Sequence, residues 1–130
     1  MPTNTRKRHS PHQGPEPALV VSKAVVRAAA ITGLNHASLA RVLGLSPPTV
    51  TRLHAGDYVL SPTGKPYELA LLLIRLFRGL DALMNGEELS VQSWMRAPNL
   101  ALGDVPMTMI TTVPGLVETV AYVDSARARV

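Results

Sequence analysis

The chain contains no cysteine, one tryptophan, one phenylalanine and three tyrosines in 130 residues. Without cysteine there is no disulfide framework, no thiolate nucleophile and no cysteine-based zinc site, which fits a reducing compartment; the expected location is the cytoplasm. With so few aromatics, the 46% apolar fraction must build its core from Leu, Val, Ala and Met, and Leu, Ala and Met are good helix formers. Long apolar runs are missing too. The longest runs from Leu69 to Ile74, far short of the roughly 20 residues a membrane helix needs. The apolar stretch after Arg6-Lys7-Arg8 is broken by Lys23 and Arg27, so it is not a signal peptide, and no membrane partner is expected.

Catalytic constellations are also lacking. An enzyme needs converging groups with tuned protonation. The sequence offers no phosphate-cradling glycine loop, no His pair at helical metal spacing and no Ser-His-Asp set in a turn. Its carboxylates are scattered over helix faces, and His9 and His12 are too few to hold a metal. No catalytic, cofactor-binding or metal residue is therefore expected, and the protein reads as a non-enzyme.

What the chain does have is uneven charge. The overall +4 divides into +2 over residues 1–18, +4 over 19–65 and −2 over 66–130. A basic front and a mildly acidic back suit two surfaces for two partners, although a small protein can show such variation without meaning. Residues 1–17 hold four prolines and the Arg6-Lys7-Arg8 run, and read as a disordered basic tail. A first helix is expected over Ala18–Thr32, with Leu19, Val20, Val26, Ala30 and Ile31 as its apolar face and Gly33 ending it.

The stretch Asn35–Gly56, NHASLARVLGLSPPTVTRLHAG, has helix-turn-helix spacing. Asn35 caps one helix. Small Ala40 lets two helices cross closely, and Gly44 can take the left-handed conformation of the turn. Ser46 caps a second helix with Pro47 in its first turn, and Val50 and Leu53 point back as core anchors. That leaves Ser46, Pro48, Thr49, Thr51 and Arg52 facing outward: hydroxyls and one guanidinium, suited to phosphate and base-edge contacts. These five are the candidate DNA-binding residues. The second helix is short and Arg52 is its one cation, so a lobe used only for dimerisation or scaffolding remains an alternative. His54 reads as a helix-end residue.

Asp57–Lys65 is a connection rich in turn formers. The longest helix follows, from Pro66 to about Asn85, with Gly86 as terminator. Leu69, Leu72, Leu73, Leu76, Phe77, Leu80, Leu83 and Met84 form its stripe, and Leu71 and Ile74 lie outside it. An apolar face that wide is buried on more than one side or forms an interface. Arg75, Arg78 and Asp81 are spaced for pairing along the helix. Ser90 is expected to cap a short helix ending near Met95, and Trp94 to pack inside.

Trp94–Gly115, WMRAPNLALGDVPMTMITTVPG, then makes a bent corner with three prolines. Asn99 and Gly103-Asp104 supply turn chemistry, Pro106 opens a short helix, and Pro114-Gly115 leads a last helix with Leu116, Val120 and Val123 inward. The tail places Arg127 and Arg129 two residues apart, as helix-end charge or as groups reaching into a partner's anionic-ligand pocket.

This corner resembles the C-terminal domain of Xre-type antitoxins that partner RES-domain toxins. The residues carrying the resemblance are Trp94, Pro98-Asn99, Ala101-Leu102-Gly103, Pro106-Met107 and Gly115-Leu116, in family order. The helix-turn-helix and the long Leu-rich helix fall in that order as well. The resemblance implies an all-α fold: a helix-turn-helix domain over 18–65, then a dimerisation and toxin-binding helical domain over 66–130. It implies a type II antitoxin, a homodimer within a hetero-oligomeric complex. The front half would bind operator DNA and repress its own operon. The back half would occlude the active site of an NAD-consuming RES-domain toxin, with Asn99, Leu100, Met109, Glu118, Tyr122, Arg127 and Arg129 as candidate contacts. The competing reading is a stand-alone helix-turn-helix regulator whose C-terminal helices dimerise or bind a ligand.

Overall fold

The computed structural model describes residues 16–129. Among them are seven helices and no strand: α1 (Pro17–Thr32), α2 (His36–Leu43), α3 (Pro47–Ala55), α4 (Lys65–Leu83), α5 (Glu88–Arg96), α6 (Pro106–Met109) and α7 (Val113–Ala128). The all-α expectation is met. The tail expected over 1–17 lies outside the described residues except for Glu16 and Pro17, and Pro17 already belongs to α1.

Local chemistry sets the helix ends. Proline stands in the first turn of α1, α3, α4, α6 and α7, where its missing N–H has no helical partner to lose. The side chains of Asn35, Ser46 and Thr112 accept hydrogen bonds from the backbone N–H three residues on, closing the starts of α2, α3 and α7. Gly44 turns the chain between α2 and α3 at φ +70°, a conformation that any side chain would resist. Ser90 is not a cap as expected. The N-cap of α5 is Glu87, and Ser90 sits inside the helix, its hydroxyl donating to the Glu87 carboxylate at 3.2 Å.

The core is one continuous body. Val25, Ala28 and Ala29 of α1 meet Leu39 and Leu43 of α2, Val50 of α3, Leu73, Leu76 and Leu80 of α4, Val91 and Met95 of α5, and Leu116, Val120 and Val123 of α7. α4 lies at its centre, packed against α1 on one side and α7 on the other. Its apolar surface is wide enough to serve both neighbours. Ile74 is buried, whereas Leu71 keeps 46% of its surface in water. The expected boundary at 65/66 falls at the start of this shared helix.

The inward face of α1 is not the one expected. Ala18, Ser22, Val25, Ala28, Ala29 and Thr32 point in, and Leu19, Val20 and Ala30 point out. Small residues win because they let α1 approach closely, and the two buried hydroxyls are satisfied along the helix. Ser22 Oγ donates to the Ala18 carbonyl at 2.7 Å and accepts from the Leu60 N–H at 2.9 Å. Thr32 Oγ1 donates to the Ala28 carbonyl at 2.7 Å. A buried hydroxyl with its partners made behaves as core.

Two glycines let α7 dock. Gly79 of α4 faces Val123, whose Cγ1 would lie 2.5 Å from an added Cβ. Gly115 is tighter, since an added Cβ would fall on the Met109 carbonyl. Arg75 pairs across the helices with Asp124 at 2.8 Å, while Arg78 and Asp81, spaced for pairing along α4, do not pair. Gly115→Ala should cost about 3 kcal/mol, because backbone must move, and Gly79→Ala about 1 kcal/mol, because a side chain can yield. Thermal unfolding of the two variants measures the order; equal costs would mean that the Met109 carbonyl shifts freely.

Candidate functional site

Two separate surfaces carry the candidate residues. The first is built by α2, the Gly44 turn and α3. Ser46, Pro48, Thr51 and Arg52 are exposed on one side of it, and Thr49 is half-buried. The hydroxyls are partly occupied. Ser46 Oγ and Thr49 Oγ1 lie 2.8 Å apart, and Thr51 Oγ1 donates to the Pro47 carbonyl at 3.2 Å. Each keeps acceptor capacity for an incoming donor. The Arg52 guanidinium stands over the Tyr58 ring, 5.4 Å from its centroid. That cation–π contact holds an otherwise flexible cation on the outward face while its N–H edges stay available.

Sequence reasoning missed Tyr58 in this role, because it lies in the connection after α3 and only the fold brings it under Arg52. It also missed the pairing of the two described histidines. The rings of His36, in the first turn of α2, and His54, near the end of α3, stack with centroids 3.9 Å apart. His54 Nδ1 lies 3.1 Å from the Val50 carbonyl; since a carbonyl only accepts, this nitrogen carries the proton. His54 is thus a helix-end residue, as expected, with a structural contact besides.

The second surface is the corner after α5. Its turn is tied at three points. The Asn99 N–H donates to the Asp104 carbonyl at 3.1 Å, the Gly103 N–H to the Asn99 carbonyl at 2.8 Å, and the Leu102 N–H to Asn99 Oδ1 at 3.0 Å. Asn99 therefore builds the turn with its side chain and is half-buried. The turn thrusts out Leu100, which is 100% exposed. Leu89 on α5 is 79% exposed. Leaving such side chains in water is unfavourable.

Trp94 is half-buried, not enclosed as expected; the fully enclosed side chain of this turn of α5 is Met95. The Trp94 indole stacks on the Tyr122 ring of α7, centroids 6.4 Å apart and planes 19° from parallel. Glu118, Tyr122 and Arg129 share one stripe of α7, with Arg129 held by Ser125 Oγ at 3.1 Å. Met109 lies half-buried beneath this helix. Arg127 diverges from the stripe and crosses α4 near Gly79. The structure thus brings Glu118, Tyr122 and Arg129 onto one face and sets Arg127 on another. Leu89 gave no signal in the sequence beyond being a leucine on a polar stretch.

Gln92 Nε2 donates to the Ile31 carbonyl at 3.2 Å, so α5 is bonded to the last turn of α1. Among the described residues no group of three or more His, Asp or Glu could hold a metal, and no helix is long and apolar enough to cross a membrane.

The fold defines a helix-turn-helix protein with an appended helical domain. A family model for the antitoxin Xre-like helix-turn-helix domain matches residues 12–75. A second, for the antitoxin Xre/MbcA/ParS C-terminal toxin-binding domain, matches residues 79–129. The chain belongs to the Xre-type antitoxins, the antitoxin halves of toxin–antitoxin pairs. A search of the curated proteins returned no match.

The turn geometry predicts a separation of roles. Asn99→Ala should lower stability by about 1 kcal/mol by removing the Leu102 N–H partner, and Leu100→Ala should leave it unchanged. Thermal melts of both variants decide it; a destabilised Leu100→Ala would place that side chain in the core.

Proposed function

We propose that this antitoxin neutralises a RES-domain toxin by lying over its active site and thereby stops NAD consumption. The observation that carries the reading is Leu100, a fully exposed apolar side chain fixed on a three-bonded turn inside the segment matched by the toxin-binding family. The order of corner residues from Trp94 to Leu116 is what points to a RES-domain enzyme. In this reading Leu100 and Leu89 are the apolar anchors, and Glu118, Tyr122 and Arg129 form the polar flank. Asn99 and Met109 hold the corner in shape, and Arg127 or Arg129 reaches into the toxin's anionic-ligand pocket. Inhibition is steric and electrostatic, with no bond made or broken by this chain.

The same reading gives the helix-turn-helix an operator. Ser46, Pro48, Thr49 and Thr51 lie against backbone and base edges, and Arg52 contributes a charged, preorganised contact. Two copies acting as a dimer would read two half-sites one helical turn apart and repress the toxin operon. The net +4 over residues 19–65 supports the electrostatic part of that binding.

Co-expression with the neighbouring reading frame, followed by an NAD assay, tests the toxin half. A stable complex and preserved NAD are expected, and Leu100→Asp should weaken the complex at least about tenfold while the protein stays folded. A complex indifferent to Leu100→Asp, Leu89→Asp and Arg129→Ala would move the contact elsewhere. If no complex forms and the neighbour spares NAD, a stand-alone regulator becomes the better reading.

Arg52→Ala should weaken operator binding and lower the slope of log affinity against log salt by about 1. Electrophoretic titration at several salt concentrations reads both. An unchanged slope would show that Arg52 meets no phosphate.

A further inference from the structure

Among the described residues, part of the outer face of α4 stays in water. Glu68, Leu71, Leu72 and Arg75 line one shallow hollow on it. Leu71 is 46% exposed, and Leu72 is half-buried beside it. These four are spaced as a single helical stripe, with an acidic residue at one end, a basic one at the other and two leucines between.

That order is self-complementary. If a second α4 lies antiparallel over the first, with the two-fold axis between Leu71 and Leu72, Glu68 faces the partner's Arg75 and Leu71 faces the partner's Leu72. Because the axis repeats each contact, one stripe supplies two ion pairs and two leucine contacts. A foreign partner would have to match this spacing by chance, whereas a second copy matches it by construction. We infer that this stripe is the homodimer contact of the antitoxin, α4 against α4 in antiparallel order. The inference rests on the reading that the chain works as a pair.

The charged groups are free to serve it. Glu68 pairs with Lys65 at 3.2 Å and Arg75 with Asp124 at 2.8 Å, but the Glu68 and Arg75 side chains are 63% and 64% exposed. Exposed pairs of this kind are weak, and each charge can accept a second partner across an interface. Covering the leucines removes water from both pairs and strengthens them. The same axis sets Lys65 opposite the partner's Arg78. Both are exposed and fall at the ends of the contact, where water and salt screen them.

Sedimentation of the full chain without toxin, up to about 100 µM, reads the association. The wild type is expected as a dimer at the upper concentrations. Leu71→Arg, Glu68→Arg and Arg75→Glu should each raise the dissociation constant at least about tenfold. The Glu68→Arg/Arg75→Glu double variant should recover most of that loss, because the swapped charges again face their opposites. Circular dichroism melts confirm that the variants fold, and Glu68→Arg, which leaves the Asp124 pair intact, carries the test if Arg75→Glu does not. A wild type that stays monomeric overturns both this inference and the paired reading. A dimer that ignores Leu71→Arg and Glu68→Arg overturns the α4 contact alone and leaves the paired reading standing.

Discussion

The structure depends on a constraint set by α4. Leucine and isoleucine cover more of this helix than one neighbour can hide, and each exposed leucine would cost about 2 kcal/mol of lost burial. The helix must therefore be covered from two directions. α1 takes one side and α7 the other, and Leu73, Leu76 and Leu80 end with no exposure between them. Because α1 leads into the helix-turn-helix and α7 closes the C-terminal domain, the demand of a single helix holds two functional lobes on one core.

The corner from Trp94 to Gly115 solves the connection problem that this creates. The chain must leave α5, turn, and lay α7 on α4 within a short span. It does so with Asn99, whose side chain stands in for a backbone partner, with a one-turn α6, and with Thr112, whose hydroxyl accepts from the Gly115 N–H at 3.1 Å. Gly115 is bound to this geometry because Met109 lies against it. A turn tied at three points holds Leu100 fixed in water. On the opposite lobe the Tyr58 ring does the same for Arg52.

Much of the local structure was legible in the chain itself. Asn35, Ser46, Gly33, Gly44 and the first-turn prolines act through neighbours a few residues away, so their effect is written where they stand. The helix-turn-helix followed from Ala40, Gly44, Val50 and Leu53 for the same reason. The candidate site was legible in outline. The corner motif fell inside the segment that the toxin-binding family matches, and the outward residues of α3 were identified, although not the contacts that preoccupy Thr49 and Thr51.

What escaped sequence reading was the choice between faces on α1 and α5. Hydropathy favoured Leu19 and Val20 for the inside of α1, yet close packing against α4 selected Ala18, Ser22 and Ala29. Trp94 looked like the anchor of α5, and Met95 took that place because it fits a closed, irregular gap while the indole stacks on Tyr122. Ser90 resembled a cap, and Glu87 begins the helix. Arg78 and Asp81 were spaced to pair within α4, yet the pair that forms is Arg75 with Asp124 on α7. The sequence by itself determined the helices, most of their ends, the turn between α2 and α3, and the class of antitoxin. Tertiary structure alone decided which faces meet, that Leu100 and Leu89 stay in water, and which charges pair. The reason is range: caps and turns act within about one helical turn, whereas face choice depends on shapes supplied by segments dozens of residues away.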